Sequence, residues 1–265
     1  MNALSLFSGI GGLDIAAEWA GFKTVAFCEQ NLFCKKVLTK QWPGVKIYDD
    51  VRTINTEELP KIDLIHGGYP CQPFSVAGNQ RGTEDERHLW PHMLRVVCNV
   101  RPQWVVAENV KGHIALGLDD VIDDLEGAGY TARPFVIPAC AVGANHTRER
   151  VFIVAYSAGH GRYGSARSGG DGSANGDGEE RTQQDWNAER CRSIRADMER
   201  RSHEAWRWRA EPGIRRVADG VPNRMDRLRA LGNAVVPQQA YPIFAAIAET
   251  YNADVTGLAP GKDDK

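Results

Sequence analysis

The stretch NALSLFSGIGGLDIAAEWAGF (2–22) decides the fold. NALSLFS is a short apolar run of strand length, GIGGL interrupts it with glycines, and DIAAEWAGF resumes with helical spacing that stops at Gly21. Strand, glycine turn and helix form the opening unit of an open α/β sheet, and the glycines let backbone come close to a ligand. The turn is not a dinucleotide fingerprint, because after Gly9 and Gly11 the third glycine position holds Asp14.

The same unit recurs along the chain. KTVAFCEQ, KIDLIHGG and RPQWVVAENV read as strands, each followed by a helical segment, the second of these crossing Pro91. TARPFVIPAC and RERVFIVAYS read as a late strand pair. The expectation is an α/β fold with an open, mostly parallel, Rossmann-like sheet covered on both faces over residues 1–157. At Ser157 the composition changes. Residues 158–184 are rich in Gly, Ser, Asn and Asp and lack periodicity, which predicts a flexible linker. An Arg- and Trp-rich helical segment follows, apolar periodicity returns over 215–252, and 253–265 reads as a frayed tail.

With 265 residues, 42% hydrophobic and 25% charged, the chain has an ordinary globular composition and no apolar run of membrane-spanning length. Its N-terminus lacks a secretory pattern. The cysteines stand singly at 28, 34, 71, 98, 140 and 191, a spacing that favours neither zinc nor a disulfide framework. A reduced, cytoplasmic protein without a structural metal is the expectation. Net charge is −2, but 162–229 carries fifteen Arg and no Lys against twelve acids. Guanidinium forks suit phosphates and guanine edges, and a solvated, salt-bridged helix face is the bland alternative.

Chemistry-bearing residues gather where strands end. Glu29 closes the second strand, where an acid can accept from ribose hydroxyls, and Asp50 follows VKIYD, where it can accept from an adenine amine. Either acid alone reads equally well as a helix cap. Cys71 lies in IDLIHGGYPCQPFSVAGNQRG (62–82), with Gly67 and Gly68 allowing a turn before it and Pro70 stiffening the approach. A lone cysteine is ordinarily a small core hydrophobe. Here Glu108 and Asn109 end another apolar strand, and Arg148 and Arg150 alternate, so they share a face if extended. A thiol, a carboxyl group and paired guanidiniums suit addition to an electron-poor ring.

These segments resemble the DNA (cytosine-5)-methyltransferases. LFSGIGGLDIAAEWAGF, VAFCEQ, YDDV, GGYPCQPFSVAGNQRG, ENV, TRERVF and ALGNAVVPQQA occur in that family's order over most of 1–157 and about 215–250. The resemblance implies S-adenosylmethionine as cofactor and double-stranded DNA as partner, with a companion restriction endonuclease compatible and no obligate protein partner evident. It places Phe7, Gly9, Ile10 and Gly11 on the methionine side of the cofactor, Glu29 at the ribose, Asp50 and Val51 at the adenine, and Asn233 in the closing block, with Pro70 a further cofactor contact. Cys71 is the implied nucleophile, Glu108 the acid that holds the base, Arg150 a contact to the cytosine carbonyl and the thiolate region, Arg148 a further catalytic residue, and Gln72, Ser75 and Asn109 the substrate contacts.

The implied chemistry needs those groups. Thiolate addition at C6 turns cytosine into an enamine whose C5 is nucleophilic, an acid at N3 stabilises the arriving charge, and the base must leave the helix stack to be reached. Residues 158–214 would then hold the target-recognition region, with Arg207 and Arg209 as phosphate contacts. Two departures stand out: His146 occupies a position the family usually fills with glutamine, and RRVADGVPNRMDRL stands in for a weakly matched block. A tRNA cytosine-5 methyltransferase of the same fold is the nearest alternative. A nicotinamide oxidoreductase would call for the full glycine fingerprint, and a non-catalytic nucleic-acid binder leaves the Cys71, Glu108 and Arg150 set without purpose.

Overall fold

The computed structural model describes residues 1–70, 89–157 and 222–256. All of them belong to one compact unit built from Met1–His160 and Pro212–Lys265. Along the chain it places β1 (Asn2–Leu6), α1 (Gly12–Trp19), β2 (Lys23–Cys28), α2 (Leu32–Gln41), β3 (Lys46–Tyr48), β4 (Leu64–Gly68), α3 (Trp90–Val100), β5 (Trp104–Val110), α4 (Leu118–Gly127), β6 (Tyr130–Ile137), β7 (Arg150–Ser157), α5 (Arg224–Asn233) and α6 (Pro237–Thr256). The seven strands form one sheet in the order β3-β2-β1-β4-β5-β7-β6. Strands β1 to β5 pair in parallel, and β7 runs antiparallel to both of its neighbours. The α/β expectation is met. The expected target-recognition region at 158–214, with Arg207 and Arg209, lies outside the described residues.

The order explains where a ligand can sit. From β1 the chain winds outward through β2 to β3, then returns to β4 on the other side of β1 and winds the opposite way. Right-handed crossovers put the helices of the two halves on opposite faces, and a crevice opens at the carboxyl ends of β1 and β4. The central strands are buried on both faces, as parallel strands covered by helices must be. Leu4, Leu6, Ile65, Val105, Ala107 and Ile153 belong to that core.

Asp14 holds the first helix to the sheet. Its carboxyl group, fully buried, accepts from Ser5 Oγ at 3.0 Å and Thr24 Oγ1 at 3.0 Å, and lies 3.5 Å from His66 Nε2. Burial pushes the Asp14 carboxyl up to about 7 and the His66 imidazole down to about 3. A third fingerprint glycine would bring helix and strand together through close backbone approach. Here a buried acid ties α1 to β1 and β2.

The C-terminal helix α6 packs on the core. Tyr241 and Phe244 on α6 meet Trp19 and Phe22 edge to face at 6.3 and 6.1 Å, and Phe244 lies against His66 at 5.4 Å. Helix α6 continues to Thr256, into the stretch expected to fray from 253. Pro91 falls in the first turn of α3, where its missing N–H costs nothing. Gly67 and Gly68 correct a sequence expectation: neither has positive φ, and both lie inside β4 rather than in a turn. A Cβ on Gly67 would stand 2.3 Å from the Leu6 carbonyl oxygen, and one on Gly68 would stand 2.7 Å from Glu108 Oε2. The pair is small because neighbours approach closely. Cys28, Cys34, Cys98 and Cys140 are free thiols. Among the described residues no helix is long and apolar enough to cross a membrane.

Candidate active site

A cavity of about 500 Å³ lies at the carboxyl ends of the parallel strands. Phe7 and Gly9 border it after β1, Glu29 after β2, Val51 after β3, Pro70 after β4, and Glu108 and Asn109 at the end of β5; Asn233 closes it from α5. Phe7 adopts φ 52°, a left-handed conformation uncommon outside glycine, within the turn that also holds Gly9 at φ 55°. That turn is pinned by Glu29, whose carboxyl oxygens accept from Gly9 N at 2.7 Å and Asn31 N at 2.7 Å. A carboxylate offers about four acceptor positions, so two remain for hydroxyl donors.

Glu108 and Arg150 form the polar wall. Arg150 Nε stands 2.9 Å from Glu108 Oε1, and both side chains are 11% exposed. A guanidinium so close would ordinarily hold a carboxyl group ionised. Burial outweighs it: the Glu108 carboxyl is pushed up to about 7, with Arg150 and then Arg148 pulling the other way. The group can therefore carry a proton near neutrality and donate it as a hydrogen bond.

Several expected residues stand elsewhere than expected. Gly11 is not among the cavity-lining residues; at φ 85° it makes room for the Trp42 ring, 2.4 Å from where a Cβ would lie. Asp50 also stands behind the lining, where it caps the turn at Val51–Thr53 by accepting from Arg52 N at 2.9 Å and pairs with the Arg52 guanidinium at 2.6 Å. Of the two readings open for this acid, these contacts are those of the cap. Arg148 does not share an extended face with Arg150, because its φ of 29° breaks the extension before β7 begins. Its guanidinium instead donates to the carbonyls of Gly232 and Ala234, 2.6 Å each, on either side of Asn233. Asn109 donates its amide to the Tyr69 carbonyl at 3.2 Å. Cys71, Gln72 and Ser75 lie outside the described residues. The sequence reading missed Gln30 and Asn31, which also line the cavity; polar residues after a strand carry no signal distinct from a helix cap.

The open, mostly parallel seven-stranded sheet, with its crevice at the β1/β4 switch, matches the fold of methyltransferase structures. A DNA modification methyltransferase encoded within an E. coli prophage superposes with a TM-score of 0.51 at 29% identity, over 59% of this chain and 47% of that one. DNMT2 of Spodoptera frugiperda shares the fold at 23% identity and TM-score 0.51, over 59% of this chain and 50% of that one. The chain belongs to the C-5 cytosine-specific DNA methylase family, which it matches over residues 1–207. The Type II methyltransferase M.FnuDI of Fusobacterium nucleatum is 39% identical over 161 residues, covering 59% of this chain and 47% of that protein. M2.BsuMI of Bacillus subtilis (strain 168) is 36% identical over 167 residues, covering 58% and 42%. The match thus spans about half or less of the length of the curated relatives.

Proposed function

We propose that this chain methylates C5 of cytosine in duplex DNA, using S-adenosylmethionine. The observation that carries the reading is Glu108, buried beside Arg150 with its carboxyl group pushed up to about 7, on a cavity wall that also includes Pro70, the residue before Cys71. The cavity fits the methyl donor: Phe7, Ile10 and Val51 give it apolar surface, and Glu29 keeps acceptor positions for a ribose. Bound there, S-adenosylmethionine supplies an electrophilic methyl group.

The remaining chemistry belongs to the chain. Cys71 adds as thiolate to C6 of an extruded cytosine, forming the C6–S bond and moving electron density toward C5 and N3. Glu108 donates a hydrogen bond at N3 and offsets that charge, while Arg150 keeps the carboxyl group oriented. Once C5 is methylated, loss of its proton to a base lets the ring expel the thiolate and restores the C5–C6 double bond. The homologue names are those of Type II methyltransferases, which supports a place beside a companion restriction endonuclease.

The test is covalent capture. Wild-type protein is incubated with the methyl donor and duplex DNA from a confirmed target, with 5-fluorocytosine at the methylated position; a denaturation-resistant adduct at Cys71 is expected. Cys71→Ser should bind the donor normally, transfer no methyl group and form no adduct. Full turnover by that variant, or preferential methylation of tRNA, would overturn the proposal.

A further inference from the structure

Resting on that reading, we infer that Tyr69 and His113 are positioning residues that fix the nucleophile-bearing strand end against the acid-bearing one. Tyr69 follows β4 and precedes Pro70 by one residue, and His113 lies in the short helical turn after β5, downstream of Glu108 and Asn109. The Tyr69 hydroxyl and His113 Nε2 are 2.7 Å apart, in a contact with both side chains buried. Their rings meet edge to face at 5.3 Å.

The contact is part of a clamp. Asn109 donates to the Tyr69 carbonyl from the β5 side at 3.2 Å, so one residue after β4 is held to β5's end through both its main chain and its side chain. Trp90, which opens α3, packs its ring against Tyr69 at 5.1 Å and donates from Nε1 to Asp124 Oδ2 at 2.8 Å. The β4–β5 ladder ends at Gly68 and Glu108, paired in register. Past that point side chains help set the spacing of Pro70 from Glu108, and the Tyr69–His113 bond, together with the Asn109–Tyr69 carbonyl bond, is a buried polar contact that spans it. An ångström of slack there would misplace the thiol against the ring atom it attacks.

A hydrogen bond needs only the hydroxyl and one ring nitrogen, so conservative variants separate positioning from packing. Tyr69→Phe keeps the ring on Trp90 and removes the hydroxyl. His113→Gln keeps a polar atom near the Nε2 position, and His113→Leu keeps bulk without it. The readouts are the rate of adduct formation on 5-fluorocytosine DNA and kcat for transfer, at a temperature where each variant is fully folded. Donor affinity is measured separately by calorimetry. Tyr69→Phe and His113→Leu should each slow capture and kcat about tenfold, the scale of one lost buried hydrogen bond. Donor affinity should stay within about twofold, and His113→Gln should recover most of the rate. The Tyr69→Phe/His113→Leu double variant should be no slower than either single, because both remove the same contact.

Wild-type capture rates in Tyr69→Phe would overturn the inference, as would a multiplicative double variant or a Gln variant as slow as the Leu one. Equal loss of donor affinity and rate would reduce the contact to scaffolding and overturn it too. Absence of capture in the wild type would instead count against the proposed function.

Discussion

Glu108 lies 2.9 Å from a guanidinium, yet its carboxyl group is pushed up to about 7. Desolvation and Coulomb attraction act in opposite directions on the same proton, and burial prevails because a charge held out of water costs more than one partner returns. The protonated form is present below about pH 7 and lost above it. If that form assists the reaction, kcat falls as pH rises through 7. Arg150→Gln removes the largest influence that lowers the group, so the alkaline limb of the kcat profile should move to higher pH while the rate drops. A limb that stays in place would assign it to another group.

At the scale of elements, the two glycines ending β4 do different jobs, and alanine at each should separate them. Gly67 faces the Leu6 carbonyl, which is backbone and cannot yield, so Gly67→Ala should force β1 and β4 apart. Overpacking of this kind costs about 1–3 kcal/mol, read as a lower urea midpoint. Gly68 faces the end of the Glu108 side chain, which can swing away. Gly68→Ala should therefore lose methyl transfer through the Glu108–Arg150 pair while the midpoint moves less. Equal effects on stability and activity at both positions would refute the division.

For the whole molecule, closure of the cavity depends on contacts across long stretches of sequence. Arg148 bonds the carbonyls flanking Asn233, and Gln239 Nε2 reaches Ile137 O at 2.7 Å and Arg148 O at 2.9 Å. Together they seat the segment between α5 and α6 on the β6–β7 connection, with Asn233 facing the cavity. Arg148→Met keeps the stem and loses both donors. Donor affinity should fall about tenfold by calorimetry, since charge-assisted hydrogen bonds contribute about 1.5–3 kcal/mol each and part of that holds the wall in place. An unchanged Kd would mean that other contacts seat Asn233.

Much of this was written in local pattern. Apolar runs ended by glycines marked β1 and β4, runs ended by an acid marked β2 and β5, and because parallel strands share one carboxyl edge, Phe7, Glu29, Pro70 and Glu108 had to border a common crevice. The ordered blocks around Cys71 and Glu108 likewise carried the family without any coordinates. What local pattern could not hold is direction in three dimensions. Asp50 and Arg148 have the right chemistry for the cavity, but a nearby guanidinium captures the first and a pair of carbonyls 84 and 86 residues away captures the second. Tyr69 and His113, 44 residues apart, come within hydrogen-bonding distance because β4 and β5 pair in register. Sequence fixes which groups reach the strand ends; hydrogen-bond competition and desolvation, which exist only once the chain is packed, decide what each group does there.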